Sequence, residues 1–582
     1  MEFSAIYHSM DKRFCFAVDE GKFLIRIKVK KNDLRRVILH YKDKYLPVKF
    51  IDTRRTVEMK KIASDRYNDY FEIIISIDVI CLRYFFELED QNGLIKYYGN
   101  YSFYDTIIDN NDRMFDCPQK LREEEMVRIP KWAMNKVVYQ IFPSRFATDK
   151  AVNDEVWYKA PIGPFDNLEG NLRGICNRLM HMKELGVEIL YMTPIFKSNS
   201  IHKYDTIDYY EIDPSFGTKE DLKELVDRAH DLGIRVILDG VFNHTSPEFF
   251  AFRDIMEKGE HSPYKDWYYI DSYPVVLEPG KKPPFLSFAY FYGMPKLNLQ
   301  NAETAEYFIN VGKYWLREVG IDGWRLDVGD EISHSFWKKF RNEIHREYAD
   351  TLIIGEIWHY AGDFLEGDEW DTVMNYQFYL SIIDFVADER ITASEFLGDM
   401  GFMRGNLHPD CYCSLLNLID SHDTARFMHI CGNKIKKMKL AAAIQLLSPG
   451  MPMIYYGDEF GMKGGPDPDC RRGMLWEKEK QNTNVFEWYK RLISIRKKYP
   501  AITLGEDIDT YTNDEAGLIV QTRRYQDEEL TVIFHGKKGD VELSDLAGKK
   551  NLVNGKIFDG KVKGYEALVL IDKMADGTRQ IR

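Results

Sequence analysis

The rhythm of apolar and polar positions changes twice along the chain. Up to about residue 120, short runs such as Phe23-Leu-Ile-Arg-Ile-Lys-Val and Tyr70-Phe-Glu-Ile-Ile-Ile-Ser-Ile are β-branched, free of proline and bounded by turn residues. They predict an N-terminal β-sandwich over 1–122. A polar, helix-prone stretch from Gln119 to Met126 leads into Trp132. From Val137 the rhythm alternates between apolar strand runs and helix-period segments, the mark of parallel βαβ units. The strand runs are VVYQIFPSRF, VEILYMTPIF, RVILDGVFNH, DGWRLDV, LIIGEIWH, DTVMNYQF, SLLNLIDSHD and PMIYYGDEFG. About eight such strands close a parallel barrel, so the spacing predicts a (β/α)8 barrel over 123–501. An open doubly wound sheet uses the same units, and only the strand count argues against it.

Between the strands, Thr218 and Asp221 resemble a capping box. Leu222, Leu225, Val226, Ala229 and Leu232 follow at helical spacing, and Gly233 supplies the stop. Gly186 and Gly320 stand at equivalent stops. After the third strand, residues from Thr245 to Gln300 read as a long irregular insertion rich in Pro, Tyr and Phe, an inserted domain that would wall or cover a site. The last barrel helix is expected from Phe486 to Lys498. The runs LIVQTRRY, LTVIFHG and ALVLI beyond it predict a C-terminal β-sandwich over 502–582.

A chain of 582 residues exceeds what one hydrophobic core supports, which agrees with several domains. Its 79 Lys+Arg against 92 Asp+Glu leave a net charge of −13 with no basic run, which excludes nucleic acid as a partner. The N-terminal MEFSAIYHSMDKRFCFAVDEGKF carries charges where a signal peptide needs an apolar stretch. No run approaches the roughly 18 apolar residues of a membrane span. The 8 cysteines form no metal or redox spacing, so a cytoplasmic chain with reduced thiols and no membrane association is expected.

Chemistry enters with the acids. Asp239, Asp327, Glu356 and Asp423 stand at the C-terminal ends of four different strand runs, where barrels carry their active sites. Any one of them could be structural; four converging on one rim point to function. Arg325 lies two residues before Asp327, so the strand period turns both to one side, and its charge would keep Asp327 ionised. His244 and His422 adjoin the acids and could bond sugar hydroxyls. An apolar wall near Ile357 and Trp358 would raise the Glu356 carboxyl. Paired carboxylates fit glycoside hydrolysis. Metal-assisted hydrolysis is the competitor, and the fixed charge of Arg325 disfavours a cation beside it.

These stretches are recognisable. Asp239-Gly-Val-Phe-Asn-His244, Gly323-Trp-Arg-Leu-Asp327, Gly355-Glu-Ile-Trp358 and Asp420-Ser-His-Asp423 resemble, in order and spacing, the four signature regions of the α-amylase family of glycoside hydrolases. MPKLN at Met294 to Asn298 and GGPDPDCRRGMLW at Gly464 to Trp476 resemble its neopullulanase, cyclomaltodextrinase and maltogenic amylase group. The resemblance implies a retaining hydrolase of α-1,4 and also α-1,6 glucosidic bonds. Its expected partners are α-glucan oligosaccharides, pullulan and cyclodextrins, with sugar transfer as a side reaction. It further implies Asp327 as nucleophile, Glu356 as general acid/base, and Asp423 as the carboxylate gripping the distorted sugar. His244, Arg325 and His422 would complete the subsite holding the reacting ring and Tyr204 would stack on it, with His202 and Asp208 in the same matched stretch; Asp467 and Arg471 would bind glucose on the donor side, and Glu331 and Trp358 would lie toward the acceptor side.

In that group the N-terminal module helps form dimers and covers the partner's active site, so a homodimer is implied. No cofactor is needed for the chemistry. A structural calcium would lie among Asp149, Asn153, Asp154 and Asn171, near Thr148, Glu169 and Gly170, a partial match with fewer acids than many members have. The chain departs from the group in reading Val328-Gly-Asp-Glu331 after the nucleophile and in placing Tyr360 where Asp is common. Both sit near the acceptor subsites and bear on the balance between hydrolysis and transfer. The other readings are an α-glucosidase or starch amylase of the same family, and a carbohydrate-binding scaffold that has lost catalysis.

Overall fold

The structure, a computed structural model, describes residues 1–45, 54–278 and 281–572. The chain forms two compact units. One gathers Met1–Arg128, Ala361–Glu369 and Ser394–Tyr412; the other holds Ile129–Tyr360, Trp370–Ala393 and the chain from Cys413 onward.

In the first unit two antiparallel sheets face each other. Cys15–Asp19, Lys22–Lys30, Asn68–Ser76 and Lys60–Ser64 make one, and Arg55–Glu58, Leu34–Asp43, Cys81–Asp90, Ile95–Gly99 and Ser102–Tyr104 the other, with Phe115–Pro118 paired to Cys81–Asp90. Alternation does the sorting. Phe23, Ile25, Ile27 and Val29 point inward from the first sheet and meet Val37, Leu39, Phe86 and Leu88 from the second. The unit also takes in Ala361–Glu369 and Ser394–Tyr412. Arg26, fully buried, pairs with Glu72 at 2.7 Å and donates to the carbonyls of Gly405 (3.0 Å) and Leu407 (2.9 Å). Those acceptors are backbone atoms at the end of helix Ala393–Asn406 and just beyond it, which side-chain periodicity does not reveal.

The second unit contains a closed barrel of eight parallel strands: β1 Val138–Ile141, β2 Ile189–Met192, β3 Arg235–Gly240, β4 Gly323–Leu326, β5 Leu352–Gly355, β6 Thr372–Asn375, β7 Leu416–Leu418 and β8 Met451–Tyr455. These are the eight runs expected from the sequence. The capping box at Thr218 and Asp221 forms with both of its bonds, and Gly186 and Gly233 close their helices with φ of 99° and 73°. The stretch after β3 is less irregular than expected. Helix Phe250–Lys258 lies within it, burying Ala251, Phe252 and Ile255. A sheet in the order Glu506–Asn513, Leu518–Tyr525, Glu528–His535, Glu566–Ile571, Lys550–Asn551 follows the barrel.

Candidate active site

Register builds the site. Asp239 of β3 stands beside Arg325 of β4, and Leu326 of β4 beside Gly355 of β5. The ladder runs one step further: the Asp327 N–H donates to Gly240 (3.1 Å) and the Glu356 N–H to Leu326 (3.0 Å). Neighbouring strand ends therefore deliver Asp239, Asp327 and Glu356 to one rim, and the segment after β7 brings Asp423. At the centre lies Arg325, fully buried. Its Nη1 reaches Asp239 at 3.1 and 3.2 Å and Asp327 at 2.8 Å; its Nη2 lies 2.7 Å from Glu356 and 4.0 Å from Asp423. One guanidinium touches or approaches four acids that are far apart in the chain. It fills the space among them with a fixed positive charge.

Sharing changes the electrostatics. Burial raises the Asp327 carboxyl well above the ordinary aspartate range; Arg325 pulls it down, while Glu356 and Asp239 push it up further. Burial likewise raises Asp239, to about 6, and raises Asp423 against the pull of Arg471 and Arg325. Arg325 favours the ionised form of Asp327, and burial, with the neighbouring acids, opposes it. The surroundings of Glu356 also differ from the expected apolar wall. Its Oε2 accepts the Val328 N–H at 2.9 Å and its Oε1 the Trp358 indole N–H at 3.3 Å. The apolar element lies behind instead, where a Cβ on Gly355 would come 2.1 Å from the Trp370 ring. Val328 has φ 46°, a strained conformation for a β-branched residue, and that conformation aims its N–H at Glu356.

The flanking rings are held neutral. Burial drives His422 well below its ordinary value, helped by Arg471 and Arg325. Gln140 faces its Nδ1 at 3.0 Å, which leaves Nε2 to face Asp423 at 3.1 Å and the Tyr204 hydroxyl. The Tyr204 and His422 rings lie nearly parallel, 5.7 Å apart. His244, pushed down to about 3 by burial, bonds the Tyr204 carbonyl at 3.1 Å, and His202 accepts the Tyr204 N–H at 3.0 Å. Both histidines thus fix the backbone that presents the tyrosine. Arg471 bonds the His422 carbonyl at 2.8 Å and bridges Asp467 (2.8 Å) and Asp423 (3.4 Å). Opposite, Trp358 stacks on Tyr376 at 3.8 Å, and Glu331 meets Lys296 at 3.5 Å.

These groups open on a cleft of about 460 Å³. Asp327, Glu356, Asp423, His202, Tyr204, His244, Glu331, Trp358, Asp467 and Arg471 line it, while Arg325 and His422 support it from behind. Asp208 does not come to it. That side chain opens strand Asp208–Ile212 and accepts the Tyr210 N–H at 2.8 Å, a local turn role that proximity to Tyr204 in sequence concealed. Phe288, Met294, Val328 and Asp330 also line the cleft. Met294 opens the MPKLN stretch, and Val328 and Asp330 belong to the departing Val-Gly-Asp-Glu. Nothing singled out Phe288 in an aromatic-rich insertion.

The calcium residues do not fit a cation. Asn171 turns its amide NH2, a donor, onto Asp149 (2.8 Å) and Thr148 (3.2 Å), and commits its carbonyl oxygen to the Gly174 N–H (2.8 Å). Asn153 caps the turn Asp154–Trp157. Among the described residues no cluster of three or more His, Cys, Asp or Glu is placed to hold a metal.

Residues 140–505, more than half of the chain, match the family description "Alpha amylase, catalytic domain", and residues 1–119 match "Alpha amylase, N-terminal ig-like domain". The chain belongs to the α-amylase family. Within that family it is 39% identical to Neopullulanase 2 of Thermoactinomyces vulgaris, covering 98% of this chain and 99% of that one. It is 38% identical to a Cyclomaltodextrinase of Geobacillus thermopakistaniensis (strain MAS1), over 96% of each. A solved structure titled "Cyclomaltodextrinase" superposes with a TM-score of 0.90 at 34% identity, covering 98% of this chain and 100% of that one. This α-amylase-family chain is thus a glycoside hydrolase of the neopullulanase, cyclomaltodextrinase and maltogenic amylase group, with a retaining action on α-glucans. No helix among the described residues is long and apolar enough to cross a membrane.

Proposed function

We propose that Asp327, Glu356 and Asp423 perform a double displacement on α-1,4 and α-1,6 glucosidic bonds of cyclodextrins, malto-oligosaccharides and pullulan. Protonated Glu356 gives its proton to the glycosidic oxygen as Asp327 bonds to the anomeric carbon and the leaving sugar departs. Ionised Glu356 then takes a proton from water, whose oxygen attacks the same carbon and frees Asp327. A sugar hydroxyl in place of water gives transfer. Asp423 bonds the ring hydroxyls, which stabilises the distorted sugar. Tyr204 stacks on that ring, Asp467 and Arg471 bind the next donor glucose, and Glu331 and Trp358 face the acceptor.

The supporting observation is the guanidinium of Arg325, which touches Asp327 with one terminal nitrogen and Glu356 with the other. One planar group spans the two carboxyls, in keeping with the separation of about 5–5.5 Å used by retaining enzymes. The substrates follow from the relatives' names. Parallel product analysis on γ-cyclodextrin, pullulan and soluble starch tests them, with cyclodextrin turned over fastest. A rate on starch far above that on cyclodextrin rejects the assignment and favours a starch amylase.

Our reading also includes three domains, at 1–122, 123–501 and 502–582, a cytoplasmic location and a homodimer. Sedimentation at micromolar concentration tests the last; a monomer alone contradicts it.

A further inference from the structure

The rim of the cleft carries an aromatic surface that the hydrolysis just described does not use. The insertion returns toward the barrel through Ser287–Lys296, and within it Tyr290, Phe291 and Tyr292 stand 72%, 48% and 56% exposed. Three consecutive exposed aromatics are expensive to leave in water unless something covers them. The backbone beneath them is strained as well. Ala289 and Tyr290, neither of them glycine, have φ of 51° and 59°. Such conformations persist where surrounding bonds enforce them, and they point from structure toward function. Here the enforcing bonds run from Phe288 N–H to Met294 (3.0 Å), Phe291 N–H to Phe288 (2.9 Å) and Met294 N–H to Phe291 (3.1 Å). At Gly293 a Cβ would come 2.4 Å from the Phe291 ring, so the loop admits that ring only because the position is bare. The Phe291 and Tyr292 rings lie 5.0 Å apart.

Continuity names the occupant. Phe288, at the start of the turn, lines the cleft and lies nearly parallel to His244 at 5.2 Å. Met294 lines the cleft as well, so Tyr290, Phe291 and Tyr292 stand on a short loop whose two ends both reach it. Flat rings with hydroxyl tips suit the apolar faces and polar edges of pyranoses. We propose that Tyr290, Phe291 and Tyr292 form an outer stacking platform for the part of an α-glucan that extends beyond the cleft past Phe288. This inference rests on the proposed function and adds a chain-length preference to it. A second copy of this chain is the other candidate occupant, and sedimentation of the variant separates the two.

The test is the variant Phe291→Ala/Tyr292→Ala, assayed beside the unaltered chain on maltotriose and maltoheptaose, with thermal melting and sedimentation of both proteins. The platform predicts a loss in kcat/KM on maltoheptaose of about tenfold, the effect of one lost stacking contact, and a change of less than about twofold on maltotriose. Equal losses on both substrates, or none on either, overturn it. A shift to slower sedimentation with no chain-length effect assigns the rings to a second copy and overturns it too. If the unaltered chain cleaves neither sugar, the proposed function falls and takes the platform with it. Cleavage of both without a length-dependent loss in the variant rejects the platform alone.

Discussion

Two buried arginines in the barrel unit meet groups of carboxylates, and only the Arg325 cluster opens on the cleft. Arg325 faces Asp239, Asp327 and Glu356 at the floor of an open cleft. Arg426, equally buried, lies 3.2 Å from Asp458, donates to the Cys470 carbonyl at 2.8 Å, and sits 4.2 Å and 4.8 Å over the rings of Tyr455 and Tyr456. Asp420 and Asp458 face each other, and burial raises both carboxyls. Asp420 Oδ1 and Asp458 Oδ2 have no hydrogen-bond partner among the described residues. Two acids beside one arginine in a dry interior are neutral together only when one of them carries a proton, which the pair then shares. In both clusters burial raises carboxyls that stand beside an arginine. What separates them is room: Asp327, Glu356 and Asp423 face space that a sugar can enter, and Asp420 does not. The motif Asp420-Ser-His-Asp423 contains one acid of each kind.

The comparison can be broken at either cluster. Arg325→Lys keeps the charge but loses the fork that reaches two carboxyls at once, so kcat should fall more than about a hundredfold. A lysine variant with nearly full kcat removes the arginine from the centre of the account. At the sealed cluster, Asp420→Asn substitutes an amide donor for the shared proton and should cost only about 1 kcal/mol of stability. Asp420→Asn/Asp458→Asn strands Arg426 and should cost about 3–5 kcal/mol. Additive losses in denaturant titrations would falsify the shared proton.

Two smaller effects depend on pH and on metal. Asp327, Asp423 and Asp239 are raised, so each takes up a proton at higher pH than free aspartate does. The attacking form of Asp327 is therefore lost early as pH falls. The acid limb of kcat/KM should lie above the ordinary aspartate value of about 3.9, and a limb at or below it contradicts the burial argument. For Asp420 and Asp458 the sign concerns stability. A raised carboxyl contributes fully below its unfolded value, and that contribution is lost as pH rises through the folded value. The melting temperature of Asp420→Asn relative to the unaltered chain should accordingly rise from acid to neutral pH. Smallest of all is the effect of a chelator. Asn171 and Asp149 bond each other, so EDTA should leave both activity and melting temperature unchanged; a fall of several degrees would restore the calcium reading.

Much of this was legible because periodicity and strand ends are local properties. Eight apolar runs foretold eight strands, and the position of Asp327 two residues after Arg325 foretold a contact that the structure shows at 2.8 Å. What stayed hidden depends on partners remote in sequence. Ala361–Glu369 and Ser394–Tyr412 join the N-terminal unit, partly through backbone carbonyls that no side-chain pattern marks. The neutral state of His244 follows from complete burial, and the raised Asp327 from burial together with the neighbouring Glu356 and Asp239. Asp208, four residues after Tyr204, opens a strand and accepts the Tyr210 N–H, a local role that the sequence alone does not reveal.

Asp327 is the group proposed to bond to the sugar. Single-turnover release of sugar from maltotriose by Asp327→Asn, with folding verified by melting, measures this directly. Release should fall at least about a thousandfold, since the amide cannot form the glycosyl intermediate. Release at the unaltered rate would show that the covalent step belongs to another residue or does not occur.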